Sequence, residues 1–245
     1  MRTVVSSRTP SLSLLIHAFQ RRLLQWYRRH QRPLPWRDTR DPYKILVSEI
    51  MLQQTQVDRV IPKYHEWLQR YPTVAHLSRA SAAEVRKAWY PLGYNVRPLR
   101  LRNIAKTVIK RHGGQIPDSY EGLVAMDGIG RYTAGAVLSF AFNQDAPILD
   151  TNVARLLQRY FGVAGRRGKT TANRRLWELA GAVIPPGRAY DINQAMMDFG
   201  ALVCTARTPA CPSCTLQRSC RSYPYVQTTP AKTTAPRRAS RRGRD

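Results

Sequence analysis

Acidic side chains are scarce in this 245-residue chain: 15 Asp and Glu stand against 40 Lys and Arg, for a formal net charge of +25, and the first 37 residues contain no acid at all. A surface this basic draws polyanions through counterion release and long-range steering, so nucleic acid is the leading partner, with a merely solvated basic face as the plainer reading. No apolar run approaches the roughly 20 residues that a membrane-spanning helix needs, so no membrane partner is expected. Sustained period-two alternation is missing, which argues against sheets, and no repeat of solenoid type is present. Cysteine is confined to four positions between 204 and 220. There is no secretory signal; the acid-free start bears only a faint likeness to an organelle transit peptide, and a cytoplasmic location is expected.

What is present is a globular composition, 43% hydrophobic and long enough for a substantial core. The pattern is helical almost throughout, broken by short Pro/Gly segments such as "RYPTVAHL", "HGGQIPDS" and "VIPPGRAYD". After a disordered start over residues 1–12, the stretch "LSLLIHAFQRRLLQWYRRH" reads as a helix whose apolar stripe is marked by Leu15, Ala18, Leu23 and Trp26. Pro62 is expected to open a helix as a first-turn proline, and Ser81 with Glu84 to form a capping box. Residues 221–245, rich in Pro, Thr and Arg, read as a disordered basic tail. The fold class is all-α.

Cys204, Cys211, Cys214 and Cys220 follow a C-x6-C-x2-C-x5-C spacing. Four thiolates this close imply one metal site; disulfides are disfavoured without a secretory context, while a zinc ion and an iron-sulfur cluster remain open on spacing alone. Upstream, "MDGIGRYTAGAV" joins two helical segments through Gly128, Ile129 and Gly130. Glycines permit a tight turn and close backbone approach, and free amides at the start of the next helix suit a phosphate. Beside Arg131 in so basic a chain, this becomes a clamp for a DNA backbone, although a plain helix–helix turn has the same signature.

Two carboxylates stand out. Helical spacing surrounds Glu49, in "LVSEIMLQQTQV", with Ile45, Leu46, Leu52 and Gln53. Apolar neighbours favour the protonated acid, as a general acid near neutral pH requires; a glutamate turned to solvent or paired with an arginine is the alternative. Asp150, in "APILDTNVARLLQRY", stands where an apolar run meets a helix, a position that suits an N-cap.

The cysteine spacing resembles the [4Fe-4S] loop of the endonuclease III superfamily of helix-hairpin-helix DNA glycosylases. Together "PWR…DPYKILVSEIMLQQTQV", "LGYN", "MDGIGRYTAGAVLSFAF", "PILDTNVARLL" and "NQAMMDFGALVC" resemble, in order, the motifs of its adenine DNA glycosylases, from about Leu34 to Cys220. The resemblance implies two helical lobes flanking a DNA groove, one over about 42–149 and one from 13–41 with 150–220, in a monomer acting on double-stranded DNA with a mismatched base. It makes Glu49 the acid that protonates the purine at N7, Asp150 the carboxylate that stabilises the oxocarbenium-like sugar, and the four cysteines the ligands of a [4Fe-4S] cluster. Gln54 and Tyr94 match residues that insert into the duplex, Gln194 one that contacts the extruded adenine, and Arg37, Asp198 and Arg207 are lesser candidates. Bifunctional relatives carry a lysine where Tyr132 stands, so hydrolysis without strand cleavage is implied. The chain departs from the family at Asp150-Thr151-Asn152, where D-G-N is usual, and at Tyr94-Asn95, where a tyrosine pair is usual. The family also normally continues into a domain that reads oxidised guanine, so a weaker preference for 8-oxoguanine is expected here. Thymine or uracil opposite guanine is the alternative substrate, and a non-catalytic iron-sulfur DNA-binding protein the alternative class.

Overall fold

The structure, a computed structural model, describes residues 11–165 and 170–225. Residues 1–10 and 226–245, which hold most of the expected disordered start and basic tail, lie outside the described residues. Among the described residues every regular element is helical and none is a strand, as the absence of period-two alternation requires.

Helix α1 (Leu12–His30) begins on Ser11, whose hydroxyl accepts the Leu14 amide. Ser11 and Leu12 therefore belong to a helix start rather than to a disordered one. Its buried stripe runs through Leu15, Phe19, Leu23, Trp26 and Tyr27, while Ala18 is only half-buried; the aromatic rings reach further into the core than a methyl group can. Helix α2 (Pro42–Leu52) has Pro42 in its first turn and is capped by Asp41, whose carboxylate accepts the Tyr43 amide at 2.8 Å. Nearly every side chain of α2 from Tyr43 to Met51 is buried. A helix apolar on all sides has to be a central one, and α2 packs against three other helices: α3 (Val57–Arg70), α6 (Val96–Arg111) and α8 (Arg131–Phe140).

Pro62 does not open a helix. It lies inside α3, which starts at Val57 because the buried stripe Val60, Tyr64 and Trp67 extends the helix backward. Pro62 sits on the exposed face, where water can satisfy the carbonyl its missing N–H leaves free. Helices α4 (Val74–Arg79), α5 (Ala82–Trp89) and α7 (Tyr120–Val124) complete the first lobe, and the Ser81/Glu84 capping box is formed at the start of α5.

The second lobe joins α1 to α9 (Thr151–Phe161), α10 (Thr170–Ala182) and α11 (Ala189–Leu202). Helix α11 also touches α8 of the first lobe. The link from α1 to α2 is held on α11 by fully buried Asp198, which accepts from Arg37 at 2.8 and 2.9 Å, from the Arg32 guanidinium at 2.6 Å and from the Arg32 amide at 3.1 Å. Two close approaches then place the segment that leads into α9. At Gly135 a Cβ would stand 2.3 Å from the Pro147 carbonyl oxygen, and at Gly200 one would stand 2.8 Å from Asn152 Cβ. These glycines let the 147–150 segment lie on α8 and the start of α9 lie on α11.

Gly135→Ala is expected to lower the unfolding free energy by about 1–3 kcal/mol in urea titration, because backbone has to shift to make room. Gly181→Ala, where nothing lies within 4 Å, is expected to cause no loss and up to about 1 kcal/mol of gain.

Candidate active site

Where the lobes meet, a cleft of about 500 Å³ opens. The end of α2 and the loop after it supply Glu49, Leu52, Gln53, Gln54 and Thr55. Helix α8 supplies Tyr132, the start of α9 supplies Asp150, Thr151 and Asn152, and α11 supplies Met197 and Ala201. Glu49 and Asp150, 101 positions apart in the chain, thus line one cavity.

Glu49 is 4% exposed, although it belongs to the cleft wall. Burial pushes its carboxyl from 4.5 up to about 7; a hydrogen bond from the Tyr132 hydroxyl pulls the other way, the charge of Asp150 raises it further, and Arg37 lowers it slightly. The acid is therefore partly protonated near neutrality, as the apolar spacing predicts. Burial also drives the Tyr132 phenol far above its usual range, so it stays a donor, and it further contacts Met197 Sδ at 3.7 Å.

Asp150 caps α9 and faces the cleft at once. One carboxylate oxygen accepts the Val153 amide at 2.7 Å and the other accepts the Asn152 side-chain amide at 3.0 Å. Burial raises its pKa, and these hydrogen bonds oppose the rise. Asn152 is itself held by Arg155, whose Nη2 donates to its Oδ1 at 2.7 Å and to the Gly200 carbonyl at 2.6 Å, while Nε donates to the Cys204 carbonyl at 2.7 Å. A continuous chain of hydrogen bonds therefore runs from the cysteine loop to Asp150.

The other expected site residues divide. Gln54 lines the cleft. Tyr94 does not; it stands 61% exposed on the loop before α6. Gln194 is buried on α11 and is not part of the cleft wall, one helical turn before Met197, which is. Arg37 is committed to Asp198 and also lies outside the wall, while Arg207 is exposed in the cysteine loop. Gly128 has φ +92°, and Gly130 precedes α8 with no side chain capping its first amides. Arg131 starts that helix with its guanidinium 3.9 Å above the Trp177 ring, exposed beside the open amides. An anion can bind here.

All four cysteines line a second cavity, together with Leu156, Tyr160, Phe199 and Leu216. Among the described residues no three His, Cys, Asp or Glu side chains converge closely enough for a single metal ion. Arg159 supports the loop, donating to Cys204 Sγ at 3.5 Å, to the Thr205 carbonyl at 2.7 Å and to the Ala206 carbonyl at 3.1 Å. Its other side lies 3.7 Å from the Tyr225 ring, and the Arg221 amide donates to the Tyr160 carbonyl at 3.0 Å. Residues 221–225, which composition places in the tail, thus pack against the cysteine loop; a local composition count cannot see a ring stacked on a guanidinium. The sequence reading also missed Arg155, Arg159 and Arg97 as buried residues, because nothing in helical periodicity distinguishes a buried arginine from a solvated one.

Because its proton is held more tightly when folded, Glu49 costs nothing below about pH 4.5, where both folded and unfolded chains are protonated. It penalises folding progressively as pH rises from there to about 7. Glu49→Gln is therefore expected to be more stable than the parent chain by about 2–3 kcal/mol at pH 8, a gap that closes toward pH 4.5 in denaturant titrations across pH.

Comparison with known proteins agrees with this architecture. Residues 47–182 match the family described as "HhH-GPD superfamily base excision DNA repair protein". The chain is 42% identical over 221 residues to the adenine DNA glycosylase of Mus musculus, with 86% of this chain and 43% of that protein covered. It is 38% identical over 212 residues to the thymine-DNA glycosylase of Aeropyrum pernix, with 85% and 95% covered. Among solved structures, that of a thermostable thymine-DNA glycosylase superposes with a TM-score of 0.82 at 31% identity, covering 88% of this chain and 99% of the other. The chain spans under half the length of the mouse, rat and human relatives it matches. By the family match and by these relatives, the chain belongs to the HhH-GPD superfamily of base excision DNA repair proteins.

Proposed function

We propose that the chain is a DNA glycosylase that hydrolyses the N-glycosidic bond of adenine mispaired with guanine or 8-oxoguanine and leaves an abasic site. The observation that carries this reading is the carboxylate pair in one cleft: Glu49 with a pKa of about 7, and Asp150 held by the α9 amides and Asn152. A protein that only binds phosphates has no use for two acids facing its ligand. In the reaction an extruded adenine enters the cleft and Glu49 gives its proton to N7. The C1′–N9 bond breaks with its electrons passing to the base. Asp150 faces the cationic sugar that remains and stabilises it. Water then adds to C1′ and yields its proton to a cleft carboxylate, so base and abasic site are the only products. Tyr132 offers no amine, so no Schiff base forms and the strand stays intact.

The duplex is gripped through the open amides after Gly130 and through Arg131, while Gln54 and Tyr94 enter the stack as the base leaves it. The protein acts as a monomer. The C-x6-C-x2-C-x5-C spacing, which resembles a [4Fe-4S] loop, supports a cluster over a zinc ion, and the four cysteines line one cavity. Cys204, Cys211, Cys214 and Cys220 would hold it, and the bound cluster would supply a redox-capable crosslink of the loop.

Release of thymine opposite guanine is the second reading, favoured by the near-complete coverage of the Aeropyrum pernix relative and by the absence of Gln194 from the cleft wall. Duplexes carrying A·G, A·8-oxoG, T·G and U·G pairs, treated with alkali after incubation, separate the two. Adenine release is expected; release of thymine or uracil alone would select the second reading, and strand scission before alkali would overturn the hydrolytic mechanism.

Glu49→Gln is expected to slow single-turnover base release by at least ~100-fold with duplex affinity nearly unchanged. In the parent chain, release should fall about tenfold per pH unit above about pH 7, as Glu49 loses the proton it must donate. Elemental analysis should find about four irons and four sulfides per chain; one zinc would overturn the cluster.

A further inference from the structure

One buried guanidinium has no part in the chemistry above. Arg97, in the first turn of α6, is 3% exposed. Its Nη1 donates to the carbonyls of Ile50 at 3.2 Å and Met51 at 2.9 Å, in the last turn of α2, and to that of Gln53. Its Nη2 donates to Thr55 Oγ1 at 3.0 Å and to the carbonyls of Leu92 at 3.3 Å and Gly93 at 3.2 Å. The guanidinium also lies 5.2 Å from the Trp89 ring and 5.4 Å from the Tyr94 ring. No carboxylate among the described residues pairs with it; the negative end of the α2 dipole and the ring of carbonyls take that place.

The acceptors are not scattered. Gln53 and Thr55 flank Gln54, and Leu92 and Gly93 lead directly into Tyr94. Gln54 and Tyr94 have φ of +56° and +50°, left-handed conformations that residues with a Cβ adopt rarely and keep only where the surroundings enforce them. The only other such residue among those described is Asn143, an amino acid that tolerates this region. One side chain therefore holds both strained turns, one from each end of a 40-residue excursion of the chain. The exposed side chains beyond these turns include Tyr90, Tyr94 and Val96, which are 76%, 61% and 51% accessible.

We propose that Arg97 is a positioning residue that locks the Gln54 and Tyr94 turns into one two-pronged wedge, so that both prongs enter the duplex together when the target base is extruded. The role of the prongs rests on the glycosylase reading; the coupling between them rests on the geometry of Arg97. A planar fork serves two loops at once, whereas an ammonium on a flexible stem cannot. The carbonyls it holds are backbone, so the restraint acts on the turns themselves and leaves the prong side chains free to meet DNA.

Two variants test this. Arg97→Lys keeps the charge and loses the fork; Thr55→Val removes a single anchor beside Gln54 and tests the same coupling should Arg97→Lys fail to fold. Extrusion is read as the fluorescence rise of 2-aminopurine placed opposite guanine, chemistry as single-turnover release from A·G duplexes, and folding by thermal melts. Extrusion and release are expected to slow together, about tenfold or more for Arg97→Lys and less for Thr55→Val, with duplex affinity within about threefold. On a duplex whose adenine is already unstacked by flanking mismatches, release should recover to within about threefold of the parent chain. Equal losses on both duplexes would mean that Arg97 merely supports the fold, and unchanged extrusion in a folded variant would overturn the proposal. If the parent chain released no adenine, the glycosylase reading would fail, but 2-aminopurine extrusion would still report on the wedge.

Discussion

The rest of the site depends on the burial of one carboxyl group. Glu49 sits in a helix whose other faces are packed against three neighbours, so its side chain is withdrawn from water even though it borders the cleft. Desolvation is the largest influence on its pKa and outweighs the Tyr132 hydrogen bond that favours the anion. Asp150 adds negative charge nearby and raises the pKa further, while Arg37, the one cation that acts on Glu49, spends its guanidinium on Asp198. The same burial works against folding above neutral pH, which is the usual tension between stability and a poised acid.

The second carboxylate is buried as well but is held by more hydrogen bonds. Asp150 accepts a backbone amide and a side-chain amide, both of which favour its charged form. Burial raises the pKa of both acids, and at Asp150 these hydrogen bonds work against the rise. The proximity of the two acids is helped by Gly135 and Gly200, which let the 147–150 segment approach α8 and the start of α9 approach α11 more closely than any Cβ would permit. Further out, buried arginines do the bracing. Arg155 joins the cysteine loop to Asn152, Arg159 holds Thr205 and Ala206, and Arg97 joins the turns at Gln54 and Tyr94. Each of these guanidiniums is satisfied chiefly by carbonyl oxygens rather than by acids, which suits a chain with so few carboxylates to spare.

Much was legible in the one-dimensional pattern, for local reasons. Apolar spacing around Glu49 sets its environment because helix neighbours three and four positions away are also spatial neighbours. Asp150 reads as an N-cap and Ser81 with Glu84 as a capping box, since each signal is complete within a few residues. Where the pattern misled, the cause was non-local: Pro62 lies within α3 because a buried stripe reaches past it, and residues 221–225 are ordered by contacts with Tyr160 and Arg159.

By itself, then, the sequence determined that the chain is helical and strongly basic, that it carries a four-thiol loop, and that Glu49 lies among apolar neighbours, because all of these follow from composition or from spacing along one helix or loop. Only the tertiary structure decided that Glu49 and Asp150 share a cleft, that Gln194 and Arg37 stand outside its wall, and that Arg97 serves two turns 40 residues apart. Those facts depend on how two lobes close on each other, and a buried arginine and an exposed one look the same until the chain has folded around them.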